Sequence, residues 1–277
     1  MAQAPCVLIT GCSSGIGYHT AHYLKARGWR VFATCRKAED AARLAEEGFD
    51  SLTLDVDDSA SIRAALDAVL ALSGGRLDAL FNNAGFGQPG AVEDVSRSAM
   101  RQQFETNLFG AWELTNAVLP LMRRQGHGRI VFNSSILGFA AMRWRGAYNA
   151  SKFAMEGLCD TLRQELTGSG VYVSLVEPGP IESRFRPNAL QKFLANIDAE
   201  ASVHCEAYRQ QLARLKKEGH AAPFTLPATA VAADVYRALT SRRPAARYRV
   251  TTPTKVFWYL KRLLPTRWFD KALYKAV

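Results

Sequence analysis

Seven short apolar runs divide the chain, and longer amphipathic stretches fill the gaps between them. The runs are Val7–Thr10, Val31–Thr34, Leu52–Val56, Ala79–Asn83, Arg129–Ser134, Tyr172–Glu177 and Tyr248–Thr251. Most are unbroken series of Val, Ile, Leu and Phe. A strand wet on one face alternates apolar with polar residues, so these read as strands covered on both faces. Between them, Gly17–Arg27, Ala38–Glu47, Ser59–Leu72, Arg97–Gln125 and Tyr148–Thr167 carry a helical period. Strand and helix in alternation predict an α/β fold, a parallel sheet with helices on both faces and right-handed crossovers. No internal repeat and no low-complexity linker interrupts the 277 residues, so 1–277 reads as a single domain.

Composition narrows the class. The apolar fraction of 48% is that of an ordinary globular protein. The opening MAQAPCVLITG has neither the charge nor the apolar length of a secretion signal, and nowhere do roughly 18 apolar residues run together, so neither a signal peptide nor a spanning helix is expected. The five cysteines, Cys6, Cys12, Cys35, Cys159 and Cys205, are odd in number and lack a CxxC pair. A disulfide frame or zinc site is not expected, and a reducing, cytoplasmic setting fits. His19 and His22 share a helix face, but no acid or third histidine lies near them in sequence, so no metal is expected. The charge is uneven: residues 241–277 hold ten Lys or Arg against one acid, Asp270, a net +9 of the chain's +10.

The first strand runs into TGCSSGIG. Gly11, Gly15 and Gly17, with Ser13, Ser14 and Ile16 between them, permit a tight turn whose backbone N–H groups and following helix N-terminus cradle a pyrophosphate. About 20 residues on, an NAD-binding fold places an acid for the ribose 2′-hydroxyl. Here the second strand ends in Cys35, Arg36 and Lys37. A carboxylate repels a 2′-phosphate and an arginine holds it in a fork. NADP(H) is therefore the expected cofactor, unless Arg36 is only the solvated end of a strand.

Further motifs follow in order: NNAG at Asn82–Gly85, TNLFG around Asn107, NSSILG with Ser135, GAYNASK with Tyr148 and Lys152, and EPGPIES at Glu177–Ser183. Tyr148 and Lys152 are four apart, one turn on one helix face. Together, over about residues 5–185, these motifs resemble the short-chain dehydrogenase/reductase family. The resemblance implies a single-domain Rossmann fold with a doubly wound, seven-stranded parallel sheet. It implies that Tyr148 is the acid in carbonyl reduction and the base in alcohol oxidation. Lys152 and the oxidised nicotinamide would lower the phenol's pKa from its ordinary value near 10. Ser135 would hydrogen-bond the substrate oxygen, and Asn107 would hold a water linking Lys152 to solvent. The implied cofactor contacts are Asp55 and Val56 at the adenine, Asn82, Ala84 and Gly85 beside the adenosine ribose, Lys152 and Tyr148 near the nicotinamide, and Pro178, Gly179, Ile181 and Ser183 over it. Ser183 stands where the family often has threonine, and the hydroxyl is kept.

VLITGCSSGIG, ATCR and NNAGFG look most like the branch with estrogenic 17β-hydroxysteroid dehydrogenase, retinol dehydrogenases and bacterial NADP-dependent aldehyde reductases, which implies a small lipophilic alcohol, ketone or aldehyde as substrate. Ile136, Leu137, Phe139, Met142 and Trp144, with Phe86 and Gln88, either line an apolar pocket or belong to the core. Residues 184–227 form either a substrate lid or a surface helical excursion. The aromatic, basic tail 253–277 is either an interfacial helix on anionic lipid, broken at Pro265, or a hairpin packed on the domain or a second subunit. No nucleic-acid motif accompanies its charge, so nucleic acid is not an expected partner. Members of the family commonly dimerise through the helices that are here Arg97–Gln125 and Tyr148–Thr167, so a homodimer is expected. The competing readings are a non-catalytic NADP(H)-binding redox sensor and a membrane-peripheral interaction protein; the four catalytic side chains speak against the first.

Overall fold

A computed structural model describes residues 4–217, 219 and 222–275. The central sheet holds β1 (Cys6–Ile9), β2 (Arg30–Cys35), β3 (Asp50–Thr53), β4 (Ala79–Asn82), β5 (Gly128–Asn133), β6 (Val171–Glu177) and β7 (Arg247–Arg249). Their order is β3-β2-β1-β4-β5-β6-β7, every pairing parallel. β1 shows why its sequence has no polar alternation. Cys6 and Leu8 enter the core on one face of the sheet, Val7 and Ile9 the core on the other.

The helices are α1 (Gly15–Lys25), α2 (Ala38–Glu46), α3 (Ser59–Ser73), α4 (Arg97–Phe104), α5 (Gly110–Gln125), α6 (Gly146–Glu165), α7 (Phe185–Asn196), α8 (Cys205–Lys216), α9 (Ala228–Thr240), α10 (Thr252–Leu263) and α11 (Thr266–Lys275). α3, α5 and α6 cover one face, where Ile62, Leu114 and Met155 join Leu8, Leu80 and Phe132. α1, α2 and α9 cover the other through Leu24, Leu44 and Val235. The doubly wound α/β architecture expected from the alternation is present.

The boundaries differ in two instructive places. β3 ends before Leu54, because Asp55 starts a turn: its N–H donates to Ser61 Oγ (2.9 Å) and its Oδ1 accepts from Asp57 N–H (3.1 Å). The single helix expected over Arg97–Gln125 is broken by a π-helical turn, Glu105–Phe109, centred on the fully buried Asn107. The tail is a hairpin of α10 and α11 about Pro265, with Phe269 and Leu273 buried against Ile136, Leu137, Ala140 and Tyr148. α7 and α8 build a small core of their own with Ala91 and Trp144. Residues 218, 220 and 221 of the expected lid, and the last two of the tail, lie outside the described residues. Among those described, no helix is long and apolar enough to cross a membrane, and no group of three His, Cys, Asp or Glu is placed to hold a metal.

Candidate active site

The chain leaves β1 for β2 on one side and returns to β4 on the other, so a crevice opens beyond the carboxyl ends of β1 and β4. The glycine turn lies there. Gly11 and Gly15 have φ of +71° and +59°, which a side chain would strain. Gly17 is needed for space: a Cβ there would sit 2.4 Å from Gly11 O and 2.5 Å from Asn83 Nδ2. Ser14 caps α1 without a side-chain bond to the first-turn N–H groups. Those donors, free of a side-chain cap at a positive helix end, fit a pyrophosphate. A Cβ on Gly15 would be 3.1 Å from that of Ser183, which brings the EPGPIES loop over the turn.

Residues not singled out in the sequence hold this turn. Thr10 Oγ1 accepts from the N–H groups of Asn83 (3.0 Å) and Ala84 (2.9 Å). The Asn83 amide donates to Thr10 O (2.8 Å) and Gly11 O (3.1 Å), and its oxygen accepts from Asn133 (2.9 Å). Arg43 of α2 braces the turn from outside through Ser13 O at 2.8 Å. Asn82, expected at the ribose wall, turns its amide inward to Thr115 Oγ1 (2.9 Å). Successive strand residues point to opposite faces, so the second asparagine of NNAG, and not the first, faces the crevice. Gly85 lies against Asn107 Oδ1, and Gly110 presses α5 onto Val56 O. Arg36 is exposed at the end of β2, and Asp57 across the loop feels its charge.

The four expected catalytic side chains come together. α6 presents Tyr148 and Lys152 a turn apart, Ser135 follows β5, and Asn107 sits in the π turn. All are buried, at most 9% exposed. Burial pushes the Tyr148 phenol up to about 12, a hydrogen bond with Ser135 opposing. Lys152 Nζ donates to Asn133 O at 2.6 Å and lies 5.7 Å from the Tyr148 ring centre. Its own pKa is pulled down by burial to about 8, the Glu156 charge opposing. Desolvation is the largest influence of the chain on the phenol, and it raises the pKa. These side chains favour the neutral phenol, the form that donates a proton. Asn107 is bonded within the protein. Its Oδ1 accepts from Phe86 N–H (3.0 Å), and its Nδ2 donates to Phe86 O (3.0 Å) and Ser151 Oγ (3.2 Å). The side chain thus ties the π turn to Phe86 and to Ser151 of α6.

An apolar wall surrounds Tyr148. Phe185 meets its ring edge-on at 5.2 Å, and Leu137, Phe269 and Leu273 share its cluster, with Met142 at the border. Phe86 lies under the Lys192 ammonium, 4.6 Å from its ring centre. Gln88 and Trp144 are placed otherwise than a pocket requires. Gln88 is 1% exposed and fully engaged, by Gln103 (2.7 Å), Pro89 O (2.8 Å) and Asn196 (2.6 Å). Trp144, at φ +64°, packs on His204 and Tyr208 of the α8 region, 5.0 and 5.9 Å between ring centres. Both are claimed by the packing of α7 and α8. Phe185, Phe269 and Leu273 went unrecognised in the sequence. The i,i+4 pair in α11 signalled a buried face but not which surface it covers.

Known proteins share this sequence pattern and fold. The family model for short chain dehydrogenase matches residues 5–193. The chain is 45% identical over 267 residues to the uncharacterized oxidoreductase YbbO of Escherichia coli K12, covering 96% of this chain and 93% of that one. It is 39% identical to bovine retinol dehydrogenase 8 over 69% of this chain and 64% of the relative. Among solved structures, a short chain dehydrogenase/reductase from Burkholderia phymatum in complex with NAD superposes with a TM-score of 0.80 at 26% identity, covering 100% of this chain and 98% of that one. Matched in motif over most of its length and in fold from end to end, the chain belongs to the short-chain dehydrogenase family of oxidoreductases.

Proposed function

We propose that the protein is an NADP(H)-dependent oxidoreductase that interconverts a lipophilic carbonyl compound (a steroid, retinoid or long-chain aldehyde) and its alcohol, with Tyr148 as acid and base. The observation that carries this is a buried phenol, beside Ser135, inside a wall of Leu137, Phe269 and Leu273. Bound at the glycine turn, with Asp55, Val56, Ala84, Gly85 and the loop Pro178–Ser183 around it, NADP(H) would supply or accept the hydride. Ser135 and Tyr148 hold the substrate oxygen between them, and the phenol gives its proton to that oxygen as negative charge develops. The wall excludes water and favours an apolar substrate. Likeness to a retinol dehydrogenase supports that class. α7, which sets Phe185 on Tyr148, acts as part of a lid over residues 184–227. No observation favours a non-catalytic redox sensor. Oxidation of NADPH with a panel of apolar aldehydes, ketones, retinoids and steroids tests the reading; silence across the panel with cofactor bound would count against it.

Arg36 supports the preference for NADP(H). Replacing Arg36 with Ala should weaken NADPH by about tenfold or more while leaving NADH nearly unchanged, since one charge-assisted fork is removed. Equal losses in titrations with the two cofactors would contradict the assignment.

A homodimer is supported by Phe109, Trp112 and Phe153, each more than a third exposed around the start of α5 and on α6. We place the protein in the cytoplasm, in peripheral contact with membrane through its tail. At the hairpin elbow Leu263 and Trp268 are 76% and 66% exposed, flanked by Arg262 and Arg267, a pattern suited to anionic headgroups. Full-length protein should sediment with phosphatidylglycerol vesicles, and the Leu263→Asp/Trp268→Asp variant should bind at least about tenfold more weakly. Equal binding by both would end that proposal.

A further inference from the structure

Behind the reacting groups lies a buried ionic cluster without a part in the reaction as described. α6 carries Tyr148, Lys152 and Glu156 at successive four-residue steps, one stripe of the helix. Each grips one residue where β5 ends: Tyr148 meets Ser135, Lys152 bonds Asn133 O, and Glu156 Oε1 accepts from Ser134 Oγ. Glu156 Oε2 accepts from Arg247 Nε on β7 at 2.9 Å. Gly138 leaves room for this contact, because a Cβ there would fall 2.6 Å from Ser134 Oγ and 2.9 Å from Glu156 Cγ. A buried carboxylate is costly to desolvate, and packing alone would be served by an apolar side chain.

We propose that Glu156 is a positioning residue of this site: its carboxylate is the buried counter-charge that keeps Lys152 an ammonium, and the acceptor that fixes Ser134 and hence Ser135. The proposal rests on the reading of Lys152 as the cation serving Tyr148. Several other groups face this carboxylate and lysine. From α6 come Asp160 and the Cys159 thiol, which burial keeps neutral. From β7 comes Arg247, shared among Glu156, Asp160 (2.8 Å) and Glu177 (3.1 Å). Glu177 of β6 is held in turn by Arg249 (3.1 Å), and Arg262 of α10 acts on it from further off. β5 offers Lys152 only the neutral Asn133 carbonyl. Glu156 stands one turn from Lys152 on the same stripe of α6, and its charge there supports the Lys152 ammonium against burial.

The sign follows. Lys152 is an ammonium below its pKa and an amine above it. Removing the Glu156 charge removes an influence that raises that pKa, so the ammonium is lost at lower pH. Full-length protein carrying isotope-labelled lysine can be titrated by NMR, with Lys152→Arg to assign the signal, alongside the pH profile of kcat/KM. In Glu156→Gln the Lys152 titration and the basic limb of the profile should both move down by about one pH unit. Glu156→Asp, which keeps the charge but withdraws it, should move them less in the same direction. Ser134→Ala should lower kcat without moving either. A Lys152 titration unchanged in folded Glu156→Gln overturns the proposal. If that variant does not fold, an unchanged titration in Glu156→Asp does the same. Should the NMR titration move while wild-type turnover is absent, or while its pH limb stays still, the proposal stands for Lys152 and the assigned role of Lys152 in the reaction fails.

Discussion

Tyr148→Phe should lower kcat/KM for carbonyl reduction by about 10²–10⁴-fold, the range for loss of a positioned general acid. The phenyl ring keeps its place between Phe185 and the Leu137–Phe269–Leu273 wall, so packing survives. What is lost is the phenolic hydroxyl beside Ser135, and with it the proton. NADPH affinity should stay within about twofold, because a group acting on the reacting oxygen contributes chiefly in the transition state. Steady-state kinetics with a fluorescence titration of NADPH separates the two effects. Full activity in the variant would remove Tyr148 from the reaction. A matched loss of activity and cofactor affinity would make it a binding residue instead.

Gly17→Ala should damage the cofactor site at its base. The added methyl meets a backbone carbonyl, Gly11 O, and the Asn83 amide, both well inside contact distance. Neither can yield cheaply. Gly11 is held in a left-handed conformation, and Asn83 is tied to Thr10, Gly11 and Asn133. Overpacking of this kind costs about 1–3 kcal/mol of stability, and a turn pushed open should bind NADPH at least about tenfold more weakly. Thermal melts with and without NADPH would show it: a lower melting temperature and a smaller shift on adding cofactor. A variant that matches wild type in both would mean that α1 does not approach the turn this closely.

Much of this could be read from the chain. Continuous apolar runs mark strands buried on both faces, and six of the seven lie within about two residues of their expected bounds, β3 ending three residues early. Spacing joined Tyr148 and Lys152, because an i,i+4 pair on a helix is local geometry, whereas Ser135 came only from the resemblance of its motif to the family. The glycine turn was legible for the same reason: its conformational need is written in the residues that meet it. Contacts between distant segments were not. Asn82 and Asn83 are adjacent and chemically identical, and only strand direction decides which one faces the crevice. The π turn at Asn107 reflects hydrogen bonds to Phe86 and Ser151, which helical periodicity does not encode. Trp144 and Gln88 were readable as pocket or as core, and the packing of α7 and α8 claims both. Phe269 and Leu273 have an apolar period that requires a buried face, yet that Tyr148 lies beneath it follows from where the hairpin folds back. Local chemistry thus settles strands, turns and the reacting pair, because neighbours in sequence are neighbours in space. The wall over the phenol and the charge behind Lys152 arise where segments far apart in the chain meet, and there the desolvation and packing that set their properties first exist.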